Sequence, residues 1–197
     1  MTKEAVTKRP RGRPRSQDSE NAILEATLSL LADGGYSAVT VDKVAAIANA
    51  SKATIYRRWP TKENLVIAAF ELTQPLSRPR KKKIVDQLVE IVWQFSQFMQ
   101  NTPLGGVLPV LAVERHHNPE LDEALGPLIK SRRQPIIDII EAAITGGELK
   151  PGTDPEFVAD LCLGPVQMRI IMMHLPVNKK HIKHVVETAC SSLLITG

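Results

Sequence analysis

The chain has 197 residues, of which 43% are hydrophobic and 23% charged, so it can bury a core and is too apolar to be disordered. No apolar stretch approaches the ~20 residues that a membrane-spanning helix requires, and the basic N-terminus lacks the apolar segment of a secretory signal. The net charge of +4 is uneven: residues 1–83 hold 16 Lys and Arg against 8 Asp and Glu, which is typical of a module that binds a polyanion.

A basic segment opens the chain. Residues 8–15, KRPRGRPR, place five basic residues in eight positions and interrupt them only with proline and glycine. Such a segment has four interpretations: an unstructured tail, a targeting signal, an anchor to a membrane surface, or an arm that lies along nucleic acid. The segment by itself leaves all four open, and we expect residues 1–16 to be a disordered basic arm.

Helical periodicity dominates the rest of the chain, and the alternating apolar runs typical of strands are nearly absent, so an all-α fold is predicted. We expect the first amphipathic helix to begin at a cap formed by Asp18 or Ser19 and to end at Gly34-Gly35. Its inward positions recur at helical spacing: Ile23, Leu24, Thr27, Leu28, Leu30 and Leu31.

Residues 40–65 predict three short helices in close succession. Thr40 and Ser51 are placed to cap the first two, and Asn49-Ala50 forms the tight turn between them. Thr61 is placed to cap the third. Two short helices joined by a turn of this length have the geometry of a helix-turn-helix.

The second of these short helices has two distinct faces. Ile55 and Trp59, four residues apart, are predicted to point into a three-helix core. Lys52 and Tyr56, with the same spacing, lie on another face. The outward surface is therefore basic and polar, as a phosphate-lined groove requires.

Beyond a linker at residues 74–83, which is rich in proline and basic residues, the predicted helices lengthen. Asn118, Asp154 and Asn178 are placed to cap three of them, and a proline follows the first two at the first helical position. We expect Gly164-Pro165 to kink the second of these helices. About nine helices are predicted in total.

Residues 23–66 read ILEATLSLLADGGYSAVTVDKVAAIANASKATIYRRWPTKENLV and resemble the DNA-binding domain of the TetR-type transcriptional regulators. Asn49 stands where that family usually has glycine, and because asparagine tolerates a positive φ, we expect the turn to survive. The matching features are the apolar first helix, Gly35-Tyr36, Thr40, Val44-Ala45, Ser51 to Tyr56, Trp59 and Lys62-Glu63. The C-terminal half is similar to one subgroup through NPEL at 118–121, GELKPGTDPE at 147–156, LGP at 163–165 and HLP at 174–176.

The resemblance implies that the protein reads double-stranded DNA. The helix at residues 51–57 is expected to enter the major groove. Base-reading residues are then Lys52, as a donor to guanine, with Ala53 against a thymine methyl and Thr54. The residues expected to contact phosphates are Thr40, Ser51, Tyr56, Arg57 and Lys62.

In this context the basic arm gains a specific interpretation. PRGRP, residues 10–14, matches the core of the AT-hook motif, in which Arg-Gly-Arg lies extended in the minor groove of A·T-rich DNA. The prolines keep the segment extended, and arginines favour the negative potential of a narrow groove. The arm residues expected in the minor groove are Arg11, Gly12, Arg13 and Arg15.

The resemblance also implies a helix-turn-helix domain at residues 17–74 and a helical ligand-binding and dimerisation domain at residues 81–197. A homodimer would form through the last two helices, at 154–174 and 178–195, and bind a palindromic operator. We expect a cytoplasmic, nucleoid-associated repressor that an apolar or aromatic effector releases from DNA. The predicted pocket residues are Trp93, Phe95, Met99, Gln167, Met168, Met172 and His174.

Two other functions stay open. An architectural protein would bind A·T-rich DNA broadly through its arm, and a small-molecule carrier would have a reading head that no longer binds DNA.

No catalytic motif is present, so an enzyme is not expected. Glu114 with His116-His117, and His181 with His184, lack the further ligands of a structural zinc site, so no metal or cofactor is expected. Cys162 and Cys190 are interpreted as buried reduced thiols.

Overall fold

The computed structural model describes residues 15–73 and 75–195, and over that range the chain is helical without a β-strand. This confirms the all-α prediction. No helix in the described range is both long and apolar enough to cross a membrane. The helices are α1 (Arg15–Ala38), α2 (Val41–Ile47), α3 (Lys52–Arg58), α4 (Lys62–Glu71), α5 (Ile84–Asn101), α6 (Val107–Glu114), α7 (Pro119–Thr145), α8 (Pro155–Gln167) and α9 (Lys179–Cys190). A short 3-10 helix (Pro103–Gly106) precedes α6, and a π-helical turn (Met168–Met172) follows α8.

The helix starts were the most predictable feature of the fold. Every N-cap proposed from α2 onward is confirmed, because its side-chain oxygen accepts a hydrogen bond from a backbone amide two or three residues later. Such a cap satisfies an amide that has no partner within the helix, so the signal is local. The confirmed caps are Thr40, Ser51, Thr61, Asn118, Asp154 and Asn178.

The start of the first helix was predicted too late. α1 begins at Arg15, so Asp18 lies in its first turn rather than at its cap. None of residues 15–33 is glycine or proline, and nothing in that stretch stops the helix from extending upstream. Arg15, assigned to the extended arm, is therefore helical. Near the other end, Gly35 has φ 68° and ψ −166°, outside the helical region. The helix is therefore interrupted at the predicted glycine, and the last three residues of α1 form a further turn beyond it.

The C-terminal helices have two features that the sequence did not predict. α8 continues through Gly164-Pro165, where the kink stays a prediction, and an irregular turn follows, in which the amide of Met173 donates to the carbonyl of Met168. Proline removes one amide from the ladder without breaking the others, and the wider π turn follows downstream. α9 ends at Cys190, so Leu194, expected in the last helix, instead forms an isolated antiparallel bridge with Leu149.

Two hydrophobic cores fill the molecule. The body core joins α5, the second half of α7, α8 and α9. The other, here called the N-terminal core, joins α1 to α4 with α6 and the first half of α7. It contains Ile55 and Trp59 of the predicted helix-turn-helix together with Leu121 and Leu125 of α7. α7 contributes to both cores, so the predicted helix-turn-helix packs directly against a helix of the body.

Candidate nucleic-acid interface and effector cavity

The turn between α2 and α3 forms as the sequence predicts. Asn49 has φ 49°, the left-handed conformation that asparagine tolerates, and the amide of Ala50 donates to the carbonyl of Ala45 at 3.0 Å. Ser51 then starts α3 by accepting from the amide of Thr54 at 3.1 Å. The two helices consequently meet as a helix-turn-helix, with α3 as the second, reading helix.

α3 divides into a buried and an exposed face. Ile55 is fully buried and Trp59 is 8% exposed, which confirms the predicted inward pair. The side chains of Lys52 and Tyr56 lie outside this core and face solvent. The exposed residues of the predicted interface are Thr40, Ser51, Lys52, Ala53, Tyr56 and Arg57, while Thr54 is half-buried.

Two of the predicted base-reading side chains have protein partners. Lys52 forms an ion pair with Asp42 of α2, and the hydrogen bond in that pair raises the pKa of Lys52. Both side chains are mostly exposed, so an ion pair of this kind is weak enough to exchange for a DNA partner. The hydroxyls of Thr54 and Ser51 lie 2.8 Å apart and hydrogen-bond to each other. The sequence did not predict the pairing of Asp42 with Lys52, because the two residues lie on different helices.

A polar cluster joins the start of α4 to the start of α7. The hydroxyl of Tyr36 donates to the carboxylate of Glu63, and the amide of Asn118 donates to the same oxygen at 2.9 Å. Burial and the bond to Glu63 raise the pKa of Tyr36 far above its usual value. Burial opposes the ionisation of Glu63, but the hydrogen bonds from Tyr36 and Asn118 hold its pKa below the usual range. We call these three residues the Tyr36–Glu63–Asn118 cluster.

Lys62, a predicted phosphate contact, lies beside this cluster. Its Nζ atom is 3.8 Å from the centroid of the Tyr36 ring, an arrangement typical of a cation–π contact. Burial lowers the pKa of Lys62. The ammonium of Lys62 thus lies over a ring whose hydroxyl is bonded to Glu63 and Asn118.

A cavity of about 450 Å³ lies between the reading domain and the body, lined by side chains from α4 to α8, the segment after α4 and the π turn. Its volume falls in the range of small-molecule sites, about 300–1,000 Å³. Most of the lining is apolar. The polar side chains among its described lining residues are Thr73, Arg132, Arg133 and Gln167.

The structure brings four of the seven predicted pocket residues to this cavity: Phe95, Met99, Gln167 and Met172. The other three predicted residues, Trp93, Met168 and His174, do not line this cavity. Trp93 packs against the body core, with the ammonium of Lys179 6.0 Å from its ring centroid. Met168 is 57% exposed on the π turn, and His174 is exposed in the following loop. Helical periodicity identified apolar positions without showing which neighbour each one meets.

Arg132 and Arg133 line the cavity side by side but have different partners. Nη2 of Arg132 donates to the carbonyls of Phe70 and Thr73 at 2.6 and 2.8 Å, and to the hydroxyl of Thr73 at 2.8 Å. These are the last carbonyls of α4 and of the turn that follows it. Arg133 instead forms ion pairs with Glu156 and Asp160, each at 2.8 Å. Arg132 thus connects α7 to the end of α4.

Family comparisons match both parts of this architecture. Residues 23–69 match the family described as bacterial regulatory proteins, tetR family, and residues 79–189 match the tetracyclin repressor-like C-terminal domain. The second match alone covers more than half of the chain. The chain belongs to the TetR family.

Individual TetR-family proteins resemble the chain over nearly its whole length. It is 29% identical over 189 residues to the uncharacterized HTH-type transcriptional regulator YdeS of Bacillus subtilis (strain 168), covering 95% of this chain and 96% of YdeS. The crystal structure of the TetR family transcription regulator SCO0332 gives a TM-score of 0.72 at 24% identity, over 90% of this chain and 100% of that one. The crystal structure of the transcriptional regulator FadR from Bacillus subtilis, in complex with stearoyl-CoA, gives a TM-score of 0.68 at 22% identity, over 86% of this chain and 97% of that one. The two structural likenesses show the fold.

Membership of the TetR family makes the protein a DNA-binding transcriptional regulator rather than an enzyme.

Arg11, Gly12 and Arg13 of the predicted AT-hook arm lie outside the described residues. In the part of the chain that the structure describes, no group of three His, Cys, Asp or Glu side chains is arranged to hold a metal ion. Cys162 and Cys190 are both buried and free, as predicted, and burial raises the pKa of Cys162 to about 12.

Proposed function

We propose that this TetR-family chain is a repressor that binds a palindromic operator as a homodimer and is released when a small apolar or aromatic molecule enters the cavity. One observation carries the proposal. Phe70, Leu125 and Leu128 line the cavity and also belong to the N-terminal core that holds Ile55 and Trp59 of the reading helix. A ligand that changes the packing of those three side chains acts directly on the core beneath α3.

An apolar surface at the end of the body supports the homodimer. The side chains of Phe157, Met168, Met172 and Met173 on α8 and the π turn are 57–71% exposed. Large exposed apolar side chains that recur along neighbouring elements are typical of protein–protein contacts. If two copies meet there with two-fold symmetry, their reading helices bind half-sites of a palindrome about one helical turn apart or a multiple of that distance.

The exposed face of α3 supplies the proposed DNA contacts. Lys52, Ala53 and Thr54 would read base edges, while the phosphate contacts would come from the residues at the starts of α2, α3 and α4 and at the end of α3. These are Thr40, Ser51, Tyr56, Arg57 and Lys62. Arg11, Gly12 and Arg13 of the arm would add minor-groove contacts. The site of action is then the chromosome, in the cytoplasm.

Selection from a random double-stranded DNA library by the full-length protein, followed by footprinting, tests this function and does not require the regulated gene to be identified first. We expect the selected sequence to be a palindrome, bound ~10³-fold more tightly than a shuffled duplex. Sedimentation of the complex would show two copies per palindrome. Equal and steeply salt-dependent binding to selected and shuffled DNA would contradict the proposal and favour an architectural protein.

A further inference from the structure

We propose that the cavity binds an apolar molecule that ends in a carboxylate, and that Arg132 couples this carboxylate to the DNA-reading domain. The proposal rests on the repressor function proposed above, to which it adds the ligand class and the residue that transmits the signal. It follows from two observations. Arg133 is bonded to carboxylates whereas Arg132 is not, and Nη2 of Arg132 already donates to backbone carbonyls at the end of α4.

The lining defines the two ends of the ligand. Aromatic and aliphatic side chains from α5, α6 and α7, among them Phe95, Phe98 and Leu128, form most of the wall. A wall of this composition binds an apolar body, while a small number of polar groups fix its orientation. Two of the four polar lining side chains, Thr73 and Arg132, lie together where the segment after α4 meets α7. A polar end group of the ligand is therefore expected beside them.

Charge selects an anion for that end. Arg133 is already neutralised by Glu156 and Asp160. Arg132 is half-buried, and within residues 15–73 and 75–195 its hydrogen bonds go to carbonyl and hydroxyl oxygens and not to a carboxylate. Burial lowers the pKa of Arg132, and the charge of Glu71 opposes this without forming an ion pair. A guanidinium removed from water without a hydrogen-bonded counter-ion is unfavourable, since its lost hydration is only partly replaced by neutral dipoles. A ligand carboxylate supplies that partner.

The geometry makes that carboxylate compete with α4. A carboxylate binds a guanidinium through two parallel hydrogen bonds, either to Nε and Nη2 or to Nη1 and Nη2. Both arrangements use Nη2, the atom that now holds the carbonyls of Phe70 and Thr73. A carboxylate is the stronger acceptor because it carries a full charge. Each arrangement takes one of the two Nη2 hydrogens, so binding of the ligand removes at least one of the hydrogen bonds that tie Arg132 of α7 to the end of α4.

Release of α4 gives the coupling its sign. α4 packs against α1 in the N-terminal core, and Phe70 at its end is buried there. The ligand favours the state in which Arg132 has left α4, whereas DNA binding favours the state in which the reading domain is held by α7. Two ligands that favour different states weaken each other's binding by the same factor.

Calorimetric titration of the full-length protein at pH 7.5 with dodecanoate, dodecan-1-ol and dodecanoyl-CoA tests the ligand class. We expect dodecanoate to bind about tenfold or more tightly than the alcohol, since a hydrogen-bonded charge pair is lost with the latter. Arg132→Gln should abolish this preference while still binding the alcohol, which shows that the cavity is intact. Lys130→Gln, which removes an exposed cation of α7 that does not line the cavity, is the matched control and should keep the preference.

Operator binding supplies the second readout. Dodecanoate should weaken operator binding of the wild type by about fivefold or more, the alcohol should not, and Arg132→Gln should not respond to either. Any of four results would overturn the proposal. These are equal affinity for acid and alcohol, a preference for the acid that survives Arg132→Gln, no binding of either compound, and binding of the CoA thioester alone. Operator affinity is measured first without ligand, so failure of the repressor function is recorded separately.

Discussion

Lys52 on the reading face and Arg132 in the cavity wall are both cations with protein partners, but they occupy opposite environments. Lys52 and Asp42 are 60% and 69% exposed, so the pair separates into water at little cost. Arg132 is half-buried and holds backbone carbonyls at the end of α4. In the proposed function, the reading face recognises DNA with side chains that exchange partners freely. In the further proposal, the cavity wall transmits a signal because Arg132 gives up a bond to the end of α4 when it binds a carboxylate.

The largest effect is expected from truncating a core side chain beneath the reading face. Ile55 is fully buried, and we expect Ile55→Ala to lower the free energy of unfolding by about 2–5 kcal/mol and to abolish operator binding. Urea denaturation followed by circular dichroism measures the loss. The matched control is Ile47→Ala on α2, where the side chain is 57% exposed and a change within about 0.5 kcal/mol is expected. Equal losses would contradict the assignment of the two faces.

The contact between α4 and α7 can be weakened at Asn118. This residue caps α7 and also donates to Glu63 of α4, so we expect Asn118→Ala to lower the free energy of unfolding by about 2–3 kcal/mol. Asn178→Ala removes the cap of α9, a helix that packs on α5 and α8, and should lower it by about 1 kcal/mol. Urea denaturation at equal protein concentrations measures both. Identical losses would show that the bond to Glu63 contributes nothing.

A change confined to the reading face should leave the cavity untouched. We expect Lys52→Ala to weaken binding to the selected operator about tenfold or more, because a base-reading donor is lost. Binding to shuffled DNA should change far less, and dodecanoate binding should stay the same. Fluorescence anisotropy measures the DNA affinities. Lys82→Ala, which removes an exposed lysine of the linker, is the charge-matched control; an equal effect of both variants would argue against base reading by Lys52.

The smallest expected effect is a pH dependence from Glu63. Its pKa is lower in the folded chain than in the unfolded chain, so its contribution to stability is complete above the unfolded value of about 4.3. That contribution is lost as the pH falls through the lower, folded pKa. The unfolding free energy of the wild type should therefore decline more steeply below about pH 4.3 than that of Glu63→Gln. Urea titrations between pH 7 and 3.5 test this, and parallel curves would contradict it.

Much of the reading domain could be predicted because its determinants are local. Ser51 caps α3 through an amide three residues away, and Asn49 sets the turn through its own backbone conformation. The periodicity of α3 likewise separated Ile55 from Lys52 independently of any other helix. The late start predicted for α1 is the exception, since a polar first turn carries no apolar periodicity to mark it.

The cavity and the links between α4 and α7 depend on contacts that no local pattern encodes. Tyr36 and Glu63 are 27 residues apart, Glu63 and Asn118 are 55 apart, and Arg132 reaches Phe70 across 62 residues. Amphipathic spacing shows which side of a helix is buried, but the partner of that side depends on how the helices pack together. The sequence alone therefore determined the helices, their caps and the outward face of α3. Only the tertiary structure decided that Phe95 lines the cavity and Trp93 does not, because that choice depends on which helix each side chain meets.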